Sequence, residues 1–177
     1  MKHLRHQRGF TLVEAAVVVA ITGILASTAA PALQGLIDTR RLEGAATQLA
    51  TDIQFVRTEA VARNTPVRMS FHSIEAGSCY VIHTGAADAC ECAASGPAVC
   101  TGEARQIKTV LLPAASHVLV QANVRSVLFD PLHGTSTPTG TLRVTDEHNR
   151  SVQHVINVMG RVRSCSPGAE VSGYRAC

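Results

Sequence analysis

Three groups of residues in this chain of 177 are of a type and spacing that could do chemistry. Near the C-terminus, Gly160-Arg161-Val162-Arg163-Ser164-Cys165 sets two guanidiniums two residues apart. In extended chain such residues share a face, about 6.5–7 Å apart, and each can fork onto phosphate oxygens of one nucleic-acid strand. Gly160 lets the chain turn there, and Cys165, if bridged to Cys177, holds the arginine pair in place. Arg143, Arg150 and Arg175 are candidates to extend the patch. Tyr174 is the only nearby ring for base stacking, which favours backbone contact without sequence preference. The competing reading leaves Arg161 and Arg163 solvated at a strand end, or paired with Asp146, Glu147 or Glu170.

The second group is at the other end. Arg8-Gly9-Phe10-Thr11-Leu12-Val13-Glu14 is followed by Ala15 to Ile37 without another charge. As a helix that apolar run covers about 35 Å, enough to cross a bilayer. A carboxylate buried in lipid costs at least a few kcal/mol, so Glu14 needs a partner or a purpose. An ordinary secretory signal would share the basic start (Lys2, Arg5, Arg8) and the small residues from Ala26 to Ala32. Glu14 early in the run and the abrupt Arg8-Gly9-Phe10 junction argue against it. A plain transmembrane anchor is the other alternative.

The third group is six cysteines, Cys79, Cys90, Cys92, Cys100, Cys165 and Cys177, all outside the apolar helix. An even count in an exported chain points to disulfides in an oxidising compartment. Cys165 and Cys177 are the natural C-terminal pair, and the other four pair among themselves within 79–100. Cys90 and Cys92 are too close to each other, so each reaches Cys79 or Cys100. Zinc is the rival for Cys90, Cys92 and Cys100, but the spacing is not that of a usual zinc site, and no metal or other cofactor is expected. The eight histidines are scattered, with His72, His83, His117 and His154 in or beside strands, where surface or core roles suit them. No nucleophile elbow and no phosphate-cradling glycine loop exist, so no enzyme is indicated.

Composition bounds the rest. One modest domain fits beyond the helix, and with aromatics at 3% its core is aliphatic. Removing Lys2, Arg5 and Arg8 from the 16 basic residues leaves 13 against 13 acidic ones. The chain after Gly9 is therefore not a polycation, and contact with nucleic acid must rest on a local patch. Twelve of those 13 bases are Arg, the side chain suited to forked phosphate contacts.

The elements that position these groups follow from periodicity. Leu42, Ala45, Leu49, Ile53, Val56 and Ala60 continue the helix as an apolar stripe, with Gln48, Asp52, Arg57, Glu59 and Arg63 filling the polar remainder. Asn64-Thr65-Pro66 ends it, giving one helix of about 55 residues, with bends or melting expected at Gly23, Pro31 and Gly35. The period then changes to two. Strands are expected at Val67–Phe71, Cys79–His83, Gln106–Leu112, His117–Ala122, Arg125–Phe129, Thr141–Thr145 and Ser151–Val158, with a bulge at Val155-Ile156. Helix first and strands after is an α+β order, an antiparallel sheet packed on the helix stripe.

Gly9-Phe10-Thr11-Leu12-Val13-Glu14 before an apolar run resembles the N-terminus of type IV pilins and pseudopilins, and Pro31 sits where their helices commonly carry a proline. Three further segments, Arg57-Thr58-Glu59-Ala60, Leu128-Phe129-Asp130-Pro131 and Gly160-Arg161-Val162-Arg163, resemble the GspH/FimT branch. The resemblance implies a leader over 1–9, a transmembrane and filament-core helix over 10–37, and a soluble α+β head over 38–177. It implies cleavage by the prepilin peptidase between Gly9 and Phe10, N-methylation of Phe10, and Glu14 neutralising the amino terminus of a neighbouring subunit. Its partners would be other pilin subunits, major and minor, the peptidase, the inner membrane and DNA. It would pass from the bacterial inner membrane to the periplasm or a surface pilus. The Gly160-Arg161-x-Arg163 motif is similar to that of FimT-type minor pilins, which bind DNA during natural transformation. The alternative is a purely structural tip or priming subunit, or a GspH-type pseudopilin of a type II secretion system.

Overall fold

The computed structural model describes residues 10–93 and 96–177, with the backbone alone at residues 28 and 30–32. Gly9 and the rest of the expected leader lie outside the described residues. The chain divides after Ile37 into two compact units.

In the first unit a helix, α1 (Leu12–Arg63), begins behind Thr11. The Glu14 amide donates to Thr11 Oγ1 at 3.2 Å, so Thr11 caps the helix. With Glu14 three residues on, this is the capping-box pattern, and the carboxylate also complements the positive end of the helix. The helix continues without a break past Gly23, Pro31 and Gly35, so the expected melting does not occur. The intrahelical hydrogen bonds carry the backbone through both glycines; the Pro31 side chain lies outside the described residues. Among the described residues no helix is long and apolar enough to cross a membrane. The segment expected to do so, 10–37, includes the side chains at 28 and 30–32 that lie outside the description.

In the second unit, α1 from Asp38 onward supplies one wall of the core. Leu42, Ala46, Leu49, Ile53, Val56 and Ala60 are all wholly buried, Ala46 rather than Ala45 completing the stripe. Burying a Leu or Ile side chain contributes about 1.5–3 kcal/mol, so this row is the main anchor of the helix on the sheets. The helix stops where Asn64 turns to a positive φ of 50° and Thr65 donates back to Ala60 O at 3.2 Å.

Among the described residues eleven strands follow: β1 (Val67–Ile74), β2 (Gly77–His83), β3 (Cys90–Glu91), β4 (Val99–Cys100), β5 (Gln106–Pro113), β6 (Val118–Ala122), β7 (Ser126–Phe129), β8 (Ser136–Thr137), β9 (Gly140–Asp146), β10 (Ser151–Ile156) and β11 (Val162–Cys165). They form one sheet in the order β5-β2-β1-β7-β8, a second in the order β11-β10-β9-β6, and the short pair β3-β4. Met69, Ile82 and Phe129 of the first sheet and Val120, Leu142, Val144, Val152 and Ile156 of the second meet α1 in one core. Among the described residues the core draws on none before Leu42.

Three expectations are corrected. The register is regular at Val155-Ile156 and shifts instead between Ile82 and His83. Val155 is an apolar residue on the outer face, so the hydrophobic pattern slips while the backbone does not. Asp52, read as a solvent-facing residue of the helix, is 4% exposed. It accepts from Tyr80 Oη at 2.8 Å and Lys108 Nζ at 2.6 Å, partners in β2 and β5 that no helical periodicity reveals. β11 is a fourth strand of the second sheet where only a basic segment was expected.

The cysteines form Cys79–Cys92, Cys90–Cys100 and Cys165–Cys177. The first two pin the loop after β2, where Cys90 and Cys100 are paired residues of β3 and β4. The third ties the chain end to the last residue of β11.

Candidate functional site

The second sheet has an inner face toward α1 and an outer face. Leu142 and Val144 of β9 and Val152, His154 and Ile156 of β10 point inward and are buried. Thr141, Arg143, Gln153 and Val155 alternate with them and point outward. Pairing carries the alternation to β11: Val155 faces Arg163, and Gln153 faces Cys165 on one side and Arg143 on the other. Arg163 and Arg143 therefore stand on the same outer face. Arg161 continues the pairing by one residue, its N–H donating to Asn157 Oδ1 at 2.9 Å and its carbonyl accepting from Asn157 at 3.1 Å. Arg161 and Arg163 are exposed, while Val162 between them packs on the core.

Arg175 lies on the terminal segment beside this edge. Its carbonyl accepts from Ser166 N at 2.8 Å, and Cys177 is bonded to Cys165. Arg175 is exposed, and a parallel bridge between Ser166 and Ala176 holds that segment against the end of β11. Among the described residues, none of Arg143, Arg161, Arg163 and Arg175 has an acidic group within ion-pair distance. Of the acids expected to compete, Asp146 is engaged with Arg150 at 2.7 Å and Glu147 with His117 at 2.6 Å, while Glu170 is exposed and forms no ion pair with these arginines. Beneath the face, burial pushes His154 down to about 4, so the ring is neutral at physiological pH and adds no charge. Its Nδ1 is 2.8 Å from Ser164 Oγ, bracing β11 from behind.

Arg150 does not join the group. It precedes β10 while Arg161 follows it, a separation of six strand residues or about 20 Å. It is half-buried and committed to Asp146 Oδ2 at 2.8 Å and Thr39 Oγ1 at 2.7 Å. Tyr174 is half-buried against the core, so it is not an open stacking platform.

Gly160 has a structural reason of its own. It sits at φ 67° in the turn from Asn157, and a Cβ there would lie 2.4 Å from Gly134 O. Gly134 O in turn accepts from Arg57 Nε at 3.0 Å. The turn holding Gly134 is closed by Asp130, whose Oδ1 accepts from the Leu132 and His133 amides, holding its carboxyl below the usual range. The end of α1, the Asp130–Gly134 turn and Gly160 thus meet at one point, and the start of the arginine segment is built on it.

At the other end of the chain, Phe10 and Glu14 are exposed. Ser70 Oγ and His83 Nε2 are 2.8 Å apart, but both residues are buried and Ser70 donates to Ala87 O, so this pair is a core contact.

Comparison with known proteins agrees with this layout. Residues 45–160 match the family described as Type II transport protein GspH, and residues 4–30 match the prokaryotic N-terminal methylation motif. Type II secretion system protein H of Xanthomonas campestris pv. campestris is 39% identical over 64 residues, 36% of this chain and 38% of that protein. The match thus spans under two fifths of that relative. Two crystal structures of the type IV minor pilin FimU of Pseudomonas aeruginosa superpose with TM-scores of 0.52 and 0.50 at 16% and 15% identity. They cover 76% and 75% of this chain and 95% and 98% of theirs, a likeness of fold. A methylation-motif helix running into an antiparallel α+β head defines a pilin-like filament subunit. The chain belongs to the GspH family and is a pilin or pseudopilin of the GspH/FimT type.

Proposed function

We propose that this subunit is a minor type IV pilin that captures extracellular DNA for natural transformation through Arg161 and Arg163, with Arg143 and Arg175 beside them. The observation that carries the reading is that Arg161 and Arg163 run along the β11 edge, Arg143 stands on the same outer face two strands in and Arg175 lies on the adjoining terminal segment, none with an acidic partner among the described residues. Guanidiniums so placed suit phosphate oxygens, and Tyr174 is half-buried against the core, which favours backbone contact independent of sequence. The test is a salt titration of DNA binding by fluorescence anisotropy with and without the two arginines. A second reading, a pseudopilin of a type II secretion machine without DNA binding, is favoured by the identity to the Xanthomonas protein. Absence of DNA binding by the folded wild-type head would decide for it.

The subunit would start as an inner-membrane precursor anchored by residues 10–37, be cut before Phe10 and methylated there, and then enter a filament. Gly9→Val, which puts a branched side chain at the cleavage site, is expected to leave full-length precursor in the membrane. Mass spectrometry finding a chain that begins at Phe10 in that variant would overturn the assignment.

Glu14 is the residue to meet a neighbour's amino terminus, since an ammonium and a carboxylate tolerate a low-dielectric filament core only together. Glu14→Val should insert and be cleaved normally, yet be missing from sheared filaments. A capping role alone gives a different result, because Thr11 still caps the helix and the variant then assembles as wild type does.

A further inference from the structure

At the end of β9 and β10 away from Arg161, the hairpin turn brings a second set of chemically capable side chains against α1. Asp38 on the helix and Glu147 and His148 on the turn each offer a ligand atom, and these atoms all lie within 4.8 Å of one another. The neighbours prepare them. His117 Nδ1 is 2.6 Å from Glu147 Oε2, and Asp146 Oδ2 is 4.0 Å from His148 Nδ1. Asp146 is itself fixed, its Oδ1 accepting the amide N–H of His148 and of Arg150 at 3.0 and 2.9 Å. Arg150 then reaches Thr39 Oγ1 at 2.7 Å, so the turn is already tied to the helix one residue from Asp38.

Asp146 Oδ2 is held by Arg150 and at 4.0 Å makes no hydrogen bond to the His148 ring, so the imidazole can turn a nitrogen toward Asp38 and Glu147. The geometry points to a binding site for a divalent cation of the zinc type, held by Asp38, Glu147 and His148, that staples the β9–β10 turn to the helix at the base of the head. Charge agrees: Asp38, Asp146 and Glu147 face Arg41, 3.6 Å from Asp38, and Arg150, leaving one net negative charge for a dication to meet. The imidazole selects among dications, because Ca²⁺ and Mg²⁺ prefer oxygen ligands throughout. A tetrahedral zinc with bonds of about 2.0–2.1 Å spaces its ligand atoms roughly 3.4 Å apart. The side chains of Glu147 and His148 are 46% and 56% exposed, so rotamer changes can close that gap, with water as the fourth ligand. All six cysteines are in disulfides, so no thiol competes for the metal.

The experiment is isothermal titration of ZnCl₂ into the chain from Phe10 onward in detergent, with thermal melts in parallel. The wild type should bind one zinc and melt higher with it. His148→Ala and Glu147→Gln should each weaken binding at least tenfold and lose the thermal shift. His133→Ala, an exposed histidine on another turn, should change neither, and CaCl₂ should give no comparable binding. The site is wrong if wild type shows no binding up to millimolar zinc, if His148→Ala binds as wild type does, if His133→Ala abolishes binding, or if calcium binds as well as zinc.

Discussion

Replacing Arg161 and Arg163 together by Gln is expected to flatten the salt dependence of DNA binding by nearly two units. Each phosphate contact on duplex DNA contributes about 0.9 to the slope of log affinity against log salt. Between 50 and 200 mM salt the two contacts account for about a twelvefold change in affinity, which the variant should no longer show. The loss should be equal for unrelated sequences, as backbone contact requires. The head should stay folded, because both side chains are exposed, no apolar volume is removed, and β11 keeps its main-chain pairing to β10. The measurement is an anisotropy titration on the head from Asp38, a compact unit with its own core, with circular dichroism confirming the fold. Arg150→Gln is the internal control. Its guanidinium is spent on Asp146 and Thr39, so it should cost stability and leave the slope unchanged. A folded double variant that binds as wild type does, or a wild type that fails to bind near physiological salt, leaves the chain a structural subunit.

The apolar stripe from Leu42 to Ala60 and the period-two runs were legible because burial itself writes those patterns. The even cysteine count likewise led to Cys165–Cys177, while the crowding of Cys90 against Cys92 left open which of them reaches Cys79 and which Cys100. What escaped depends on contacts between distant segments. Asp52 looks like any polar helix residue until Tyr80 and Lys108 arrive from β2 and β5. Arg150 reads as one more basic residue near the C-terminus, yet the length of β10 separates it from Arg161, and a buried Asp146 takes its charge. β11 was hidden because Arg161 and Arg163 mask a strand whose two inward side chains are Val162 and the short Ser164. The Thr11-x-x-Glu14 cap could have been found from its spacing, a signal eclipsed by the question of why an acid sits in an apolar run.

Gly160 opens the arginine segment for a structural reason of its own, and Gly160→Val should be among the most destabilising substitutions in the head. Two effects coincide there. The φ of 67° is left-handed, which costs a branched side chain about 1–3 kcal/mol. The added Cβ would also meet Gly134 O at 2.4 Å, with Arg57 Cδ and Nε at 3.3 Å. The first of these is backbone and cannot rotate away, so the two turns must part, and Arg57 then loses its 3.0 Å bond to Gly134 O. Together a loss of about 3 kcal/mol or more is expected, a fall in Tm of roughly 6–12 °C for a domain of this size. Gly173→Val separates the two effects: its φ is 84°, but nothing lies within 4 Å of its Cβ position, so it suffers the backbone strain alone. Thermal melts of the two variants side by side should place Gly160→Val well below Gly173→Val. The fraction of Gly160→Val that remains folded should keep the wild-type salt slope for DNA, because Arg161 and Arg163 are untouched. Equal melting temperatures for the two variants would show that the contact with Gly134 does not matter, and a slope flattened at full stability would make Gly160 part of the DNA contact itself.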